Sequence, residues 1–401
     1  MFMKTRIYLD HAATTAVDPR VHEAFEPFLL TKYGNASSLH SFGQEAKEAI
    51  EKARGIIAKV INAKPSEIIF TSGGTESDNM ALKGVFQKGA RIITSKIEHD
   101  AVLDTCRFLE GVGGDIRKLS VDNFGFIDPL VVSNEINKKT AVVSIMHANN
   151  EIGTINDIRE FGKICEESGV PFHTDAVQTF GKIPIDVKRM RISMLSASGH
   201  KIYGPKGIGF LYKREDIKLM PLLHGGGHEN GLRSGTENVA GIVGMGKATE
   251  LCMREMNTEG RREAQLRDYL IKNTTTKIQA SWLNGHPTKR LPNNAHFGFK
   301  HIEGESIIMM LNDKGIAAST GSACSSKSLE PSHVLLAIGL KHEDAHGSLR
   351  ITLGRKTTKT EIDYLTTALP PIIERLRQIS PLTKKQTRIE IAKSVKPGVC
   401  E

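Results

Sequence analysis

The chain has 401 residues, 39% hydrophobic and 25% charged, and its 54 Lys and Arg against 45 Asp and Glu leave a formal net charge of +9. Two or three globular domains are expected from that length, and collagen-like, disulfide-scaffold and wholly disordered chains are excluded. No run of about 18 apolar residues marks a membrane span, and the opening MFMKTRIYLDHAATT lacks the zones of a signal peptide, so no membrane partner and a cytoplasmic setting are expected.

The positive charge is spread out, with one basic cluster at 383–388, and six Tyr and one Trp offer few stacking platforms. No nucleic-acid-binding motif emerges, so direct nucleic-acid binding is not expected. The five cysteines, Cys106, Cys165, Cys252, Cys324 and Cys400, are odd in number and form no C-x-x-C pair. That argues against a disulfide framework and against a metal site made by this chain alone, and leaves room for one chemically special thiol.

Along the chain, GQEAKEAIEKARGIIAKVIN (43–62) spaces its apolar residues by three and four and predicts an amphipathic helix. A buried strand follows at 68–70, then Gly73-Gly74 and a helix opening at Thr75. Strand-like runs recur at 91–95, 141–148, 170–175 and 192–198, with helical stretches such as 155–167 between them. Short β-branched runs alternating with helices predict an α/β domain with a mainly parallel, buried sheet. One long helix is expected over 245–265, then new strands and a C-terminal helix at 361–378. We therefore expect a large domain over 15–255, a smaller α+β domain formed by 1–14 and 256–380, and a tail at 381–401 that is at least partly mobile.

Several residues carry chemistry. Lys201, in a Gly-rich turn after a buried strand, is either a surface Lys beside a hairpin or an amine whose pKa is lowered enough to form a Schiff base. Asp175, at the end of an apolar strand, either caps the next helix or pairs with a cationic ring nitrogen, because ligands of open α/β sheets bind outside the carboxyl ends of strands. The strand–Gly73-Gly74–helix segment offers bare backbone N–H groups for a phosphate, without matching a nucleoside-triphosphate loop. His99, at a strand–helix junction, either caps the helix or stacks on a ring, and the Asn150 amide could bond a ring substituent. Arg350, within an apolar strand, needs either a structural carboxylate or a bound one. Cys324 lies among Gly, Ala and Ser, a setting that favours an accessible thiol. Together these groups are what pyridoxal phosphate requires.

At this point the sequence resembles the cysteine desulfurases of the NifS/IscS type, within the fold-type I pyridoxal-phosphate enzymes. The resemblance rests on YLDHAATT (8–15), YGNASSLHSFG (33–43), TSGGTESDN (71–79), EHDAV (98–102), NNEIG (149–153), HTDAVQ (173–178), SGHKIYGPKGIG (198–209), GLRSGTEN (231–238), STGSAC (319–324) and PSHVL (331–335). It implies that Lys201 bonds the cofactor's aldehyde, Asp175 partners its ring nitrogen, Gln178 bonds its phenolic oxygen and His99 stacks on the ring and relays protons. Gly74, Thr75, Ser198 and His200 would hold the phosphate. Thr236 would reach the neighbouring subunit's cofactor in a homodimer. Asn150 and Arg350 would bind the carboxylate of L-cysteine, and Cys324 would take its sulfur as a persulfide, leaving L-alanine. The sulfur would pass to an iron–sulfur scaffold or another acceptor protein, with Cys324 a possible cluster contact. Ala36, Asn156 and His228 depart from the family's usual residues, and Cys400 matches nothing in it. The rival readings are a selenocysteine lyase or an aminotransferase of the same fold, and a non-catalytic assembly partner.

Overall fold

The computed structural model describes residues 6–321 and 331–381. Strand β1 (Ile7–Tyr8) stands apart from a central sheet made by β2 (Ile68–Thr71), β3 (Arg91–Ser95), β4 (Asp115–Leu119), β5 (Thr140–Ser144), β6 (Phe172–Asp175), β7 (Met194–Ser198) and β8 (Gly209–Lys213). Their spatial order is β2-β8-β7-β6-β5-β3-β4. Every residue of β2, β6 and β7 is buried, as expected for strands covered by helices on both faces. The pairs β3–β4, β3–β5, β5–β6 and β6–β7 are parallel, and β8 runs against both β7 and β2. The carboxyl ends of β2, β5, β6 and β7 therefore lie along one edge, where such sheets bind ligands.

A second, antiparallel sheet contains β9 (Ser281–Asn284) and β10 (Asn294–Phe299), while β11 (Ile316–Ala317) pairs in parallel with β1 and β12 (Ser348–Thr352) completes the order β12-β10-β9. Two main clusters of buried side chains match these sheets. Phe172, Leu195 and Phe210 belong to one; Leu9, Phe297, Phe299 and Leu349 belong to the other. Helix Val239–Lys277 joins them, giving Ile242, Met245 and Leu251 to the first and Leu270 to the second.

That helix has 39 residues and extends the predicted 245–265 at both ends. The first amphipathic helix spans Ser41–Val60 and buries Ala46, Ile50, Ala53 and Ile57 as its spacing predicts. The strand predicted at 141–148 ends at Ser144. Ile145 and His147 still donate to the carbonyls of His173 and Asp175, at 3.1 and 2.9 Å, but a turn over 149–154 then draws the chain off the ladder. Asn149 Oδ1 holds that turn by accepting from the amides of Glu151 and Ile152. No helix among the described residues is long and apolar enough to cross a membrane.

Candidate active site

A cavity of about 270 Å³ opens at the carboxyl edge of the central sheet and is lined by Gly74, Thr75, His99, Asn150, Asp175, Gln178, Ser198, His200, Lys201 and Arg350. These are the predicted site residues other than Thr236 and Cys324. Thr236 is exposed and does not line the cavity. Cys324, Cys400 and most of the predicted tail lie outside the described residues.

Lys201 closes a short 3-10 turn directly after β7. Its Nζ donates to the carbonyls of Ala12 and Ala13, both at 2.6 Å. Burial, helped by the nearby cations Lys182 and Arg350, pushes its amine down from 10.5 to about 8, with Asp10 and Asp175 opposing. A substantial fraction of the amine is then unprotonated, and so nucleophilic, near neutral pH. The buried-amine reading is the one the structure supports.

Asp175 ends β6, and its Oδ1 accepts from the Val177 amide at 2.8 Å, so it does serve as a turn cap. Burial raises its pKa, and His99 and Lys201 act against that rise. Asp78 lines the same cavity and is raised further, by burial and by Asp175 itself. Two buried carboxyls this close share their charge reluctantly. A cationic ligand atom beside Asp175 would favour its ionised form.

The phosphate end is built from backbone. Gly73 caps helix Gly74–Val85 with no side chain, leaving the first amides for a ligand. The approach here is tight: a Cβ on Gly209 would sit 2.6 Å from Gly73 Cα, and one on Gly74 would sit 2.6 Å from Val177 Cγ2. Hydroxyls of Thr75 and Ser198 join this wall. Burial and the neighbouring Lys201 drop His200 to about 4, so its ring is neutral, and its Nδ1 meets Thr14 Oγ1 at 3.1 Å. A donor wall at one end and a buried carboxyl at the other fit a phosphate and a cationic ring, as pyridoxal phosphate carries.

His99 caps helix Asp100–Gly111, its Nδ1 accepting from the Ala101 amide at 3.1 Å, and it also lines the cavity. Arg350, only 3% exposed, likewise has a structural partner, donating from Nη2 to Asp10 Oδ1 at 2.9 Å. Its Nη1 donates to the carbonyls of Asn150 at 3.1 Å and Gly321 at 3.3 Å, and its Nε is buried without a partner. An orphaned guanidinium donor bordering the cavity suits a carboxylate. Gly321, the last described residue before position 324, also lines the cavity.

Sequence reasoning missed Asp10, Ala12 and Ala13 as site residues, along with Asp78, Glu98 and Glu151. Glu98 Oε1 accepts from Ser95 Oγ at 2.6 Å and the Met146 amide at 3.1 Å, and burial lifts its carboxyl to about 8. Glu151, also raised by burial, accepts from Ser332 Oγ at 2.5 Å. All act at least in part through partners distant in sequence; the one available signal was that all six fall inside the quoted motifs as polar or small residues without an assigned role.

Of the three departures, Asn156 is buried and donates to the Met146 carbonyl at 3.0 Å. His228 Nδ1 accepts from the Gly235 amide at 3.2 Å. Ala36 packs against the larger core.

Residues 7–365 match the profile of the "Aminotransferase class-V" family. A protein of Dictyoglomus turgidum described as "Cysteine desulfurase IscS" is 56% identical over 383 residues, 94% of this chain and 97% of that protein. Among solved structures, a "NIFS-LIKE PROTEIN" superposes with a TM-score of 0.87 at 38% identity, over 93% of this chain and 100% of the other. A structure titled "SspA in complex with cysteine" superposes with a TM-score of 0.78 at 40% identity, over 86% and 98%.

Proposed function

Since the chain belongs to the class-V aminotransferase family, as a pyridoxal-phosphate-dependent cysteine desulfurase, we propose that its 270 Å³ cavity converts L-cysteine to L-alanine and hands the sulfur to Cys324. The carrying observation is the convergence, in one cavity, of the Lys201 amine, the Asp175 carboxyl, a bare helix N-terminus and the Arg350 guanidinium. When bound, pyridoxal phosphate supplies an aldehyde for amines and a sink for charge that develops at the substrate α-carbon.

Gly74, Thr75, Ser198 and His200 hold the phosphate, Asp175 the ring nitrogen, Gln178 the phenolic oxygen, and His99 the ring face. Arg350 and Asn150 bind the substrate carboxylate, Arg350 through its unpartnered Nε. Lys201 Nζ, which the Ala12 and Ala13 carbonyls aim, takes the proton from the substrate α-carbon and returns a proton as alanine forms. His99 accepts at Nδ1 from the Ala101 amide, so Nε2 is the nitrogen that carries a proton and relays it. The Cys324 thiolate attacks the substrate sulfur. The carbon–sulfur bond breaks, a sulfur–sulfur bond forms on Cys324, and the substrate carbon keeps the electron pair and is protonated. Gly321 is three residues away, and three residues reach about 10 Å, enough to bring this thiol to the cavity that Gly321 lines.

Thr236 lies outside its own chain's cavity and is exposed, which supports a homodimer in which it reaches the second copy's phosphate. An iron–sulfur scaffold protein is the sulfur acceptor this reading favours, and the net charge of +9 suits an acidic one. Free buried thiols at Cys106, Cys165 and Cys252 suit a reducing cytoplasm.

The test is Cys324→Ala. The variant should keep its visible absorbance and its binding of cysteine yet release no sulfide under reductant. Sulfide release at the wild-type rate would remove Cys324 from the reaction and favour another member of the fold.

A further inference from the structure

Lys182 was given no role by any motif, yet it stands against the site. It follows Gln178 by one turn, and its Nζ donates to Gln178 Oε1 at 3.3 Å. On its other side is a small cavity of about 30 Å³, lined also by Lys201, Cys252, Glu263 and Arg355. Burial lowers the Lys182 amine to about 8, while the Glu263 carboxyl and the Cys252 thiol counter that fall. In its ammonium form it is a donor only, with three N–H and no acceptor.

The Gln178 amide is thus held at both ends. Its Oε1 faces an ammonium, and its Nε2 donates to the Ala12 carbonyl at 3.0 Å, the same oxygen that takes a hydrogen bond from Lys201 Nζ. Reversing the amide would set N–H against ammonium and oxygen against oxygen. Nε2 has two N–H, Ala12 takes one, and the side chain lines the main cavity.

We propose that Lys182 is a positioning residue of the cofactor site, locking the Gln178 amide so that it presents an N–H, never a carbonyl oxygen, to an acceptor in the cavity. The proposal rests on the reading that Gln178 meets the cofactor's phenolic oxygen. Without Lys182 only the Ala12 carbonyl opposes reversal, and a reversed amide sets its oxygen against that phenolate.

The experiment is a double-mutant cycle on the holoenzyme with Lys182→Met, Gln178→Ala and their combination, plus Lys182→Arg, read by the dissociation constant for pyridoxal phosphate and by the visible spectrum. Lys182→Met should weaken cofactor binding about tenfold, the loss typical of one charge-assisted hydrogen bond, and should displace the visible band. Lys182→Arg should restore both, and the combined variant should match Gln178→Ala alone. Lys182→Ala serves the same cycle if the Met variant does not fold. Wild-type binding and spectrum in the Lys182 variants would overturn the proposal, as would effects that multiply in the combined variant, since a merely structural amine acts independently of Gln178. A Gln178→Ala enzyme with unaltered spectrum and binding would sink the reading of Gln178 itself, a failure visible without any Lys182 variant.

Discussion

The two sheets feed one cavity in different ways. The seven-stranded sheet supplies residues at or just beyond its strand ends: Gly74 beyond β2, Asp175 closing β6, Ser198 and Lys201 at the end of β7. There burial and neighbouring charge set protonation, drawing Lys201 down to about 8 and His200 to about 4 while raising Asp78 and Asp175. The three-stranded sheet supplies Arg350 from inside β12, tied to Asp10, Asn150 and Gly321. Its cation is permanent, so it can place an anion but cannot exchange a proton. On the proposed function, the first sheet's residues carry the proton chemistry and Arg350 holds the substrate carboxylate, a division that substitutions should resolve.

The largest effect belongs to the chemistry side. Lys201→Ala should lower alanine production by about a thousandfold or more, the upper range for a positioned proton-transfer group, measured by alanine release under saturating cysteine. Asp175→Asn should follow, reducing kcat by about a hundredfold through lost stabilisation of a protonated ring nitrogen and moving the visible band. On the holding side, Arg350→Gln should raise KM for cysteine by about ten- to a hundredfold, one charged hydrogen-bond set, while leaving the spectrum unaltered. A spectrum that moves in Arg350→Gln, or a KM effect alone in Asp175→Asn, would break the division.

A pH measurement sharpens it. Only unprotonated Lys201 adds to an aldehyde, so the rate at which apoenzyme gains visible absorbance from added cofactor should rise with pH and level off above about 8. An inflection near the ordinary lysine value of 10.5 would show that the amine is not buried as described. The smallest effect is expected at Glu151, whose buried carboxyl accepts from Ser332 Oγ and whose pKa burial raises. Glu151→Gln keeps an acceptor for the Ser332 hydroxyl and should change stability by less than about 1 kcal/mol, whereas Glu151→Leu leaves that hydroxyl without its acceptor and should cost more.

The same contrast governs what the sequence revealed. The buried strands were legible because strands covered on both faces read as short apolar runs, and Lys201, Asp175 and Gly74 were legible because they stand at the ends of those runs. The end of β5 was misjudged because residues 145–148 are mostly apolar and still bond to β6 through Ile145 and His147, while the Asn149 turn draws the chain away just beyond them. The long helix was read short because its buried face passes from the first hydrophobic core, through Leu251, to the second, at Leu270, across a stretch that buries the polar Glu263 and Arg267. Asp10 and Lys182 were invisible as site residues. The first meets Arg350 across 340 positions, and the second acts on a neighbour's amide.

Borohydride reduction of the holoenzyme, followed by peptide mass spectrometry, tests the central claim most directly, because two partly or wholly buried amines with lowered pKa stand near the cavity. The account predicts a single pyridoxyl adduct on Lys201. An adduct on Lys182, or none at all, would contradict it.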